Sequence, residues 1–584
     1  MGNSSVEVMT ESPSPVNSEK HTPASSVTPP ATTYNHLDSA QAAPLDVQPR
    51  NERSLWKYVP FQYMSLKPKM RNPYITTAIA CMGGMLFGFG STNMTPFIGQ
   101  DSYERYFGQF SSLHQSCLTA AMPGGAMLGA LFSFFFAEHI GRRGMVEFSG
   151  LIFVIGSAIQ TACNNRVSLS FGRIIASLGI GTASSNVPMY LSEMVPARQR
   201  GRFVACFQFS VNIGMLVMYY IGFGCSFIHS PSSFRIAWGI QMIPGTLMLI
   251  GALFLHESPR WLASKGRWDE VVEVLCAINK ANPEDPVIQR EVDEFQRDLE
   301  VKPGTFKDLF GKRNIKQTLC ATFVMFTQQY VGCNAILYFS TGITAQVGYS
   351  GVMNNVMGSI DYCVLVAATI PSVLLFDYMK RRYTMMIGGF ALLLCMAVVA
   401  GIEATRGHAV PEGLPTDPSV RWTVEDPHAG KAALAFSYIY LGVYSLSWGP
   451  VAWVYVGEIF NQEVRSIGNA FASIINWLFN FSLSVYTEIS FQNIKWQTYV
   501  IFAVFCFLSV PVVFFFFPET SGYELEQISE IFDSGIPAWK TDPLYKAFMR
   551  HVMKKDVTLP IADSPKKDDI NAEHNEDVDI VSIA

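Results

Sequence analysis

Glu138-His139-Ile140-Gly141-Arg142-Arg143, at the end of one apolar run, returns in altered form as Asp377-Tyr378-Met379-Lys380-Arg381-Arg382 at the end of another. Glu193, with Arg200 seven residues on, likewise recurs as Glu458 with Arg465. Glu257-Ser258-Pro259 recurs as Glu519-Thr520 behind Pro518. The offsets all fall at roughly 240–265 residues, the length of six membrane helices with their loops. Charge clusters repeated in parallel order at that spacing mark a duplicated helical bundle. Such bundles hold a solute site between their halves, so transport leads.

Composition agrees with a bundle in lipid. Of 584 residues, 49% are hydrophobic and only 15% charged, below the quarter usual in soluble proteins. Runs without Asp, Glu, Lys or Arg cover 72–100, 203–234, 236–255, 317–360, 432–457 and 467–487, several long enough to cross hydrocarbon as a helix. The fold class is an all-α membrane protein. A net charge of −5 without a basic patch excludes a nucleic-acid partner. The eleven cysteines, among them Cys81, Cys117, Cys163, Cys333 and Cys506, show no metal spacing and read as small buried hydrophobes. No metal, cofactor or enzymatic nucleophile–base set is expected. The first fifty or so residues lack the apolar core of a signal peptide, so the first membrane helix is expected to serve as an uncleaved insertion signal.

Twelve transmembrane helices in two six-helix halves are expected. The first six lie near 74–97, 114–137, 147–164, 168–191, 203–224 and 236–255, within a bundle spanning 71–256. The second six lie near 317–340, 352–376, 384–402, 432–457, 467–487 and 496–517, within 317–520. Between them, 257–316 reads as a charged linker with short surface helices, for which Trp268-Asp269-Glu270-Val271-Val272-Glu273-Val274-Leu275 has the right pattern. A Ser/Thr/Pro-rich tail at 1–70 cannot bury enough surface to fold, and 521–584 forms a polar C-terminal tail. With twelve spans the basic residues gather on one side. That side is expected to be cytoplasmic and to take both termini with it.

Polar residues inside apolar spans are costly in lipid and usually face the bundle interior. Gln208 falls in the fifth span, Gln328, Gln329 and Asn334 in the seventh, and Asn476 beside Trp477 in the eleventh. Trp453 follows Gly449-Pro450 in the tenth, where proline is expected to break the helix. Amides donate and accept hydrogen bonds, and indole offers an apolar face with one donor. That mixture suits a neutral polyhydroxylated ligand far better than an ion. The same amides could also serve as hydrogen bonds between helices, and both readings stand on the sequence.

The motifs together resemble the sugar porter family of the major facilitator superfamily, of the fungal monosaccharide-transporter type, over about 74–530. They are Gly83-Gly84…Phe87-Gly88, Arg173…Gly179-Ile180-Gly181, Pro188-Met189-Tyr190-Leu191-Ser192-Glu193…Pro196…Arg200-Gly201 and Glu257-Ser258-Pro259-Arg260-Trp261-Leu262. The second half adds Gln328-Gln329…Gly332…Asn334…Tyr338, Gly449-Pro450…Trp453…Glu458 and Pro518-Glu519-Thr520. The resemblance implies a monosaccharide site near the membrane midplane. Its ligands would be Gln208, Gln328, Gln329, Asn334, Trp453 and Asn476, with Phe87 and Tyr338 nearby. It also implies that Glu138, Arg142, Glu193, Arg200, Asp377, Arg381, Glu458 and Arg465 form salt bridges that latch the halves and break as they rock. Simple retention of positive charge on the inner side explains the arginines but not the matched carboxylates.

Departures from the family pattern are as informative. Proton-coupled relatives carry an Asp where this chain has Gly90, and that Asp pairs with the arginine matching Arg173. Its loss favours facilitated diffusion and leaves Arg173 in need of another partner. Asp361 lies one turn before Leu365, which stands at the family's common Asn. It would replace a polar sugar contact, act as a relocated proton site, or sit at the outward end in solvent. Lys380 stands where Gly is usual, and Asn461 where Pro is common. The expected partners are a small neutral sugar, membrane lipid and, if coupled, protons. A monomer is the expected functional unit and the plasma membrane the expected location. Alternatives are a sugar sensor that does not transport, or a carrier of a polyol, disaccharide, quinate-like acid or secondary metabolite.

Overall fold

Helix is the only way for most of this chain to satisfy its backbone in hydrocarbon. The computed structural model describes residues 72–541, apart from 98–99, 109–111, 196–199, 301–303, 411–412, 415–419, 462, 524 and 535. The expected N-terminal tail, residues 542–584 of the expected C-terminal tail and Pro196 lie outside the described residues, as does the side chain of Arg200. The first half comprises α1 (Pro73–Thr92), the short α2 (Asp101–Phe107), α3 (Ser112–Ile140), α4 (Arg142–Thr161), α5 (Arg166–Glu193) and α6 (Arg200–Ser226). It closes with α7 (Ser232–Ile240) and α8 (Met242–Ala252), which run on as one span. The linker holds α9 (Pro259–Ser264), α10 (Trp268–Asn279), α11 (Pro286–Glu300) and a 3-10 turn at Phe306–Phe310. The second half begins with α12 (Ile315–Tyr330), α13 (Cys333–Tyr338) and α14 (Ser340–Gln346). It continues through α15 (Gly351–Leu375), α16 (Arg381–Arg406), α17 (Pro427–Leu446), α18 (Trp448–Ile459), α19 (Arg465–Asn493) and α20 (Gln497–Phe516), followed by α21 (Leu525–Asp533). Strands β1 (Gly407–Ala409) and β2 (Trp422–Val424) pair antiparallel as a small ribbon between α16 and α17.

Local chemistry sets the helix starts. Asn72 caps α1 by accepting from Tyr74 N–H, with Pro73 in the first turn; Asp426 and Pro427 repeat the arrangement at α17. Asn165 and Ser168 form a capping box at α5. In α10 the patterned segment is helical, with Asp269 and Glu270 in the first turn and Val271, Val274 and Leu275 buried. All eleven cysteines are unpaired; Cys81, Cys163, Cys333 and Cys506 are buried and Cys117 is exposed.

Nine spans among the described residues are long and apolar enough to cross a membrane: α1, α3, α4, α5, α6, α7–α8, α15, α16 and α20. The three other expected spans are interrupted or more polar. The seventh is cut at Gly332, whose φ of +101° suits glycine and where a Cβ would meet the Phe502 ring at 2.6 Å. The tenth breaks at Ser447, before Pro450 rather than at it. Proline needs no N–H in a first helical turn, so it opens α18. The eleventh, α19, is continuous but carries Asn469, Asn476, Asn480 and Glu488.

Small residues let the helices of the first half approach closely. A Cβ on Gly181 would stand 1.8 Å from the carbonyl oxygen of Ala126, so α3 and α5 touch backbone to backbone. The halves meet where α3 runs along α19 and α6 along α15. Gly181→Ala should therefore force α3 from α5 and cost at least about 1–3 kcal/mol, read as a lower melting temperature and poorer yield of folded protein. Gly224→Ala on α6, with open space around it, should be neutral in the same assay.

Candidate functional site

The breaks in α12–α13 and α17–α18 face each other, and their polar groups are satisfied by side chains. Gln328 Nε2 donates to the carbonyls of Trp448 and Gly449 at 3.3 and 3.0 Å. Tyr440 Oη donates to the carbonyl of Val331 at 2.7 Å. Gln328 Oε1 accepts from Asn476 Nδ2 at 2.7 Å, tying α19 to the same point. Asn334, on the first turn of α13, donates to Gln329 Oε1 at 2.7 Å. Thus the helix breaks themselves place these amides.

Together they line a cavity of about 390 Å³ between the halves. Phe87, Gln208, Gln328, Gln329, Asn334, Trp453 and Asn476 all border it. Tyr338 does not; it borders a neighbouring cavity with Arg173 and donates to Asn480 Oδ1 at 3.1 Å. Asn212, which sequence reasoning missed, joins the wall and accepts from Gln208 at 3.2 Å. Its i+4 spacing from Gln208 on α6 was the available signal. Trp477 packs on Phe87 with ring centroids 4.8 Å apart and donates to Ser184 Oγ at 2.9 Å. Six amides and no charged side chain line the wall, and Asn476 Oδ1 is buried with no hydrogen-bond partner among the described residues. A second cavity, of about 610 Å³, shares Trp453 and extends toward Ser192, Asn469 and Glu458.

The repeated charge clusters adopt one geometry twice. Arg142 pairs with Glu138 at 2.8 Å and Glu193 at 3.6 Å; Arg381 pairs with Glu458 at 3.2 Å. Ser258 donates to Glu193, as Thr520 does to Glu458. Glu257 accepts from the backbone N–H of Arg143 at 2.9 Å, and Glu519 from those of Arg381 and Arg382 at 2.9 and 3.2 Å. Burial pushes both carboxyls up from their ordinary values, while these N–H donors and nearby arginines pull them back. Arg465 donates to the carbonyl of Phe460. These pairs lie within each half. Across the halves run Arg202–Asp377 at 3.3 Å and Ser466 donating to Glu138 at 2.6 Å.

Both departures in the charged loops have local reasons. Gly141 caps α4 at φ +93°, where a Cβ would press on Glu257. The matching Lys380 has φ −76°, which any residue adopts. Asn461 is buried and bridges Gln317 and Asn314 at 3.0 and 2.9 Å, contacts a proline could not make.

Arg173 finds its partner in an amide: its Nη1 donates to Asn93 Oδ1 at 2.7 Å. Asp361 is buried rather than wetted at an outer end, and accepts from Ser340 Oγ on α14.

The comparisons agree with this geometry. Residues 76–532 match the family model described as Sugar (and other) transporter. The chain is 38% identical over 481 residues to a high-affinity glucose transporter of Kluyveromyces lactis, covering 81% of this chain and 87% of that one. It is 34% identical over 523 residues to high-affinity glucose transporter 1 of Candida albicans, covering 88% and 94%. A solved structure of the proton:xylose symporter XylE, bound to 6-bromo-6-deoxy-D-glucose, shares the fold with a TM-score of 0.67 at 21% identity, over 79% of this chain and 99% of that one. The paired bundles, the cavity between them and a family match over most of the length make this chain a member of the sugar transporter family of the major facilitator superfamily, a multi-pass membrane transporter and not an enzyme.

Proposed function

We propose that the chain carries a monosaccharide, a hexose or a pentose, by alternating access and facilitated diffusion. One observation carries the reading: six amides and three aromatic side chains, without a charge, line the cavity between the halves. Hydroxyls of a neutral sugar can replace the amide–amide bonds there donor for donor, and the rings of Phe87 and Trp453 can cover its C–H faces. The names of the fungal relatives support glucose among the substrates. In this reading α12–α14, α17–α18 and α19 complete twelve spans. The charged end, the linker and both tails (1–70 and 521–584) face the cytoplasm, and a monomer works in the plasma membrane. Arg142–Glu193 and Arg381–Glu458 hold each half rigid at that end as the halves rock.

Facilitated diffusion rests on Gly90, which leaves Arg173 bonded to an amide instead of an acid. A second reading has one observation in its favour. Asp361 is a buried carboxylate on α15 beside Tyr219 of the other half, and could exchange a coupling proton.

Labelled glucose and xylose uptake into cells lacking their own hexose carriers should survive a protonophore. Uptake that collapses with the protonophore, and again in Asp361→Asn, would instead establish coupling at α15. Gln328→Ala should raise the KM for glucose about tenfold or more, since it removes a ligand together with its bonds to the first turn of α18 and to Asn476. Glu193→Gln should lower the maximal uptake rate while glucose binding by the purified protein stays within about twofold. Equal losses of both would refute a gating role for Glu193.

A further inference from the structure

Beside the amide cavity lies a cation that the neutral-sugar reading does not use. Arg173, on α5, is only 4% exposed. It takes part in none of the ion pairs among the described residues. Its hydrogen bond to Asn93 leads into a chain of neutral amides: Asn93 donates to Gln241 at 2.9 Å, and Gln241 to Gln160 at 3.0 Å. Its Nε has no hydrogen-bond partner among the described residues. The titratable groups that act on it are the phenols of Tyr103 and Tyr338. A buried guanidinium in such surroundings keeps its full desolvation cost.

The same guanidinium borders a cavity of about 300 Å³ with Ser91, Thr95, Thr119 and Tyr338. All four carry hydroxyls, of which Ser91 and Tyr338 donate to the Phe87 carbonyl and to Asn480 and would have to turn to reach a ligand, and no carboxylate joins them. Ser91 lies one turn beyond Phe87 on α1, and Tyr338 one turn beyond Asn334 on α13. Phe87 and Asn334 both line the amide cavity, so the two cavities are about one helical turn apart, roughly 5 Å.

The geometry points to a second binding site, for one small monovalent anion, seated on Arg173 next to the sugar cavity. One guanidinium matches one negative charge, and the hydroxyls supply further donors. The anion has two possible sources. A free halide would fill the site beside the sugar. The carboxylate of a sugar acid would reach it from a ring held by the amides, and this source rests on the sugar reading of that cavity.

The test uses full-length protein purified in detergent, with its melting temperature followed as sodium chloride or sodium glucuronate is added. A bulky sulfonate salt holds the ionic strength constant. At least one anion should raise the melting temperature saturably, and Arg173→Gln should abolish the rise or weaken half-saturation by about tenfold or more. If that variant does not fold, Gly90→Asp serves. A Cβ there would displace the flexible end of Ile180, which must shift to make room, and lie 3.8 Å from Met122, which borders the same cavity. The chain's own carboxylate should then replace the anion and flatten the response. A response to chloride alone identifies the halide; glucuronate that also displaces glucose identifies the sugar acid. A flat wild-type response to both anions, or one unchanged in the variants, overturns the site. Stabilisation by glucose, measured on the same preparations, tests the sugar reading separately.

Discussion

A backbone carbonyl freed inside hydrocarbon has no water to bond, so each helix break in this protein must be repaired by a side chain. That constraint organises the centre of the molecule. The break after α12 frees the carbonyl of Val331, which Tyr440 serves; at the first turn of α18, Gln328 adds a donor to the carbonyls of Trp448 and Gly449. A glutamine with its amide nitrogen so committed presents its oxygen inward, where Asn476 meets it. The amides of the cavity wall are therefore fixed by the bonds they make at the helix breaks. It follows that α12–α14, α17–α18 and α19, which fall short of a simple apolar span, are the segments carrying Gln328, Gln329, Asn334, Trp453 and Asn476.

The charged end obeys a related rule. The first turns of α4 and α16 expose N–H groups, and Glu257 and Glu519, each from the segment that follows the sixth helix of its half, accept from them. Arg142 and Arg381 then bond the carboxylates of Glu193 and Glu458 at the ends of α5 and α18. The first cluster thus ties α3, α4 and α5 to the segment after α8, and the second ties α16 and α18 to the segment after α20. Breaking one partner of such a buried pair costs about 3–5 kcal/mol, which makes each half stiff at this end.

Much of this was legible in the sequence because it is repeated there. The duplicated charge motifs gave the two halves, and charge-free runs located the helices within a few residues. Seven of the eight anticipated binding residues border one cavity, for amides in apolar helices have few places to point. What the sequence hid was geometry. The break at Ser447 precedes the proline because a preceding turn, not the proline ring, carries the irregular backbone. Tyr338, the last residue of α13, turns to Asn480 while its neighbour Leu337 still borders the cavity, a difference of direction that the sequence does not display. Asp361 looked as able to be wet as dry from its position in the span. Its burial is set by Ser340 and Tyr219, far away in sequence.

The strengths of the contacts separate what moves from what holds. Within each half, buried charge pairs and backbone-to-backbone packing at Gly181 or Gly129 resist shear. Between the halves the bonds are mostly neutral: Asn212 to Thr369 at 2.6 Å, Trp477 to Ser184 at 2.9 Å and Tyr220 to Ser359 at 3.2 Å. Each is worth about 1 kcal/mol net, and many hydroxyl partners could replace them after a small displacement. Ser116 donating to Glu488 is stronger in kind, and Arg202–Asp377 is half exposed and screened by solvent. A structure with strong bonds inside each half and exchangeable ones between them yields at the interface first. The amide cavity is built on that interface, so rigid-body rocking changes which side its ligand can reach without disturbing the helix breaks that shape it.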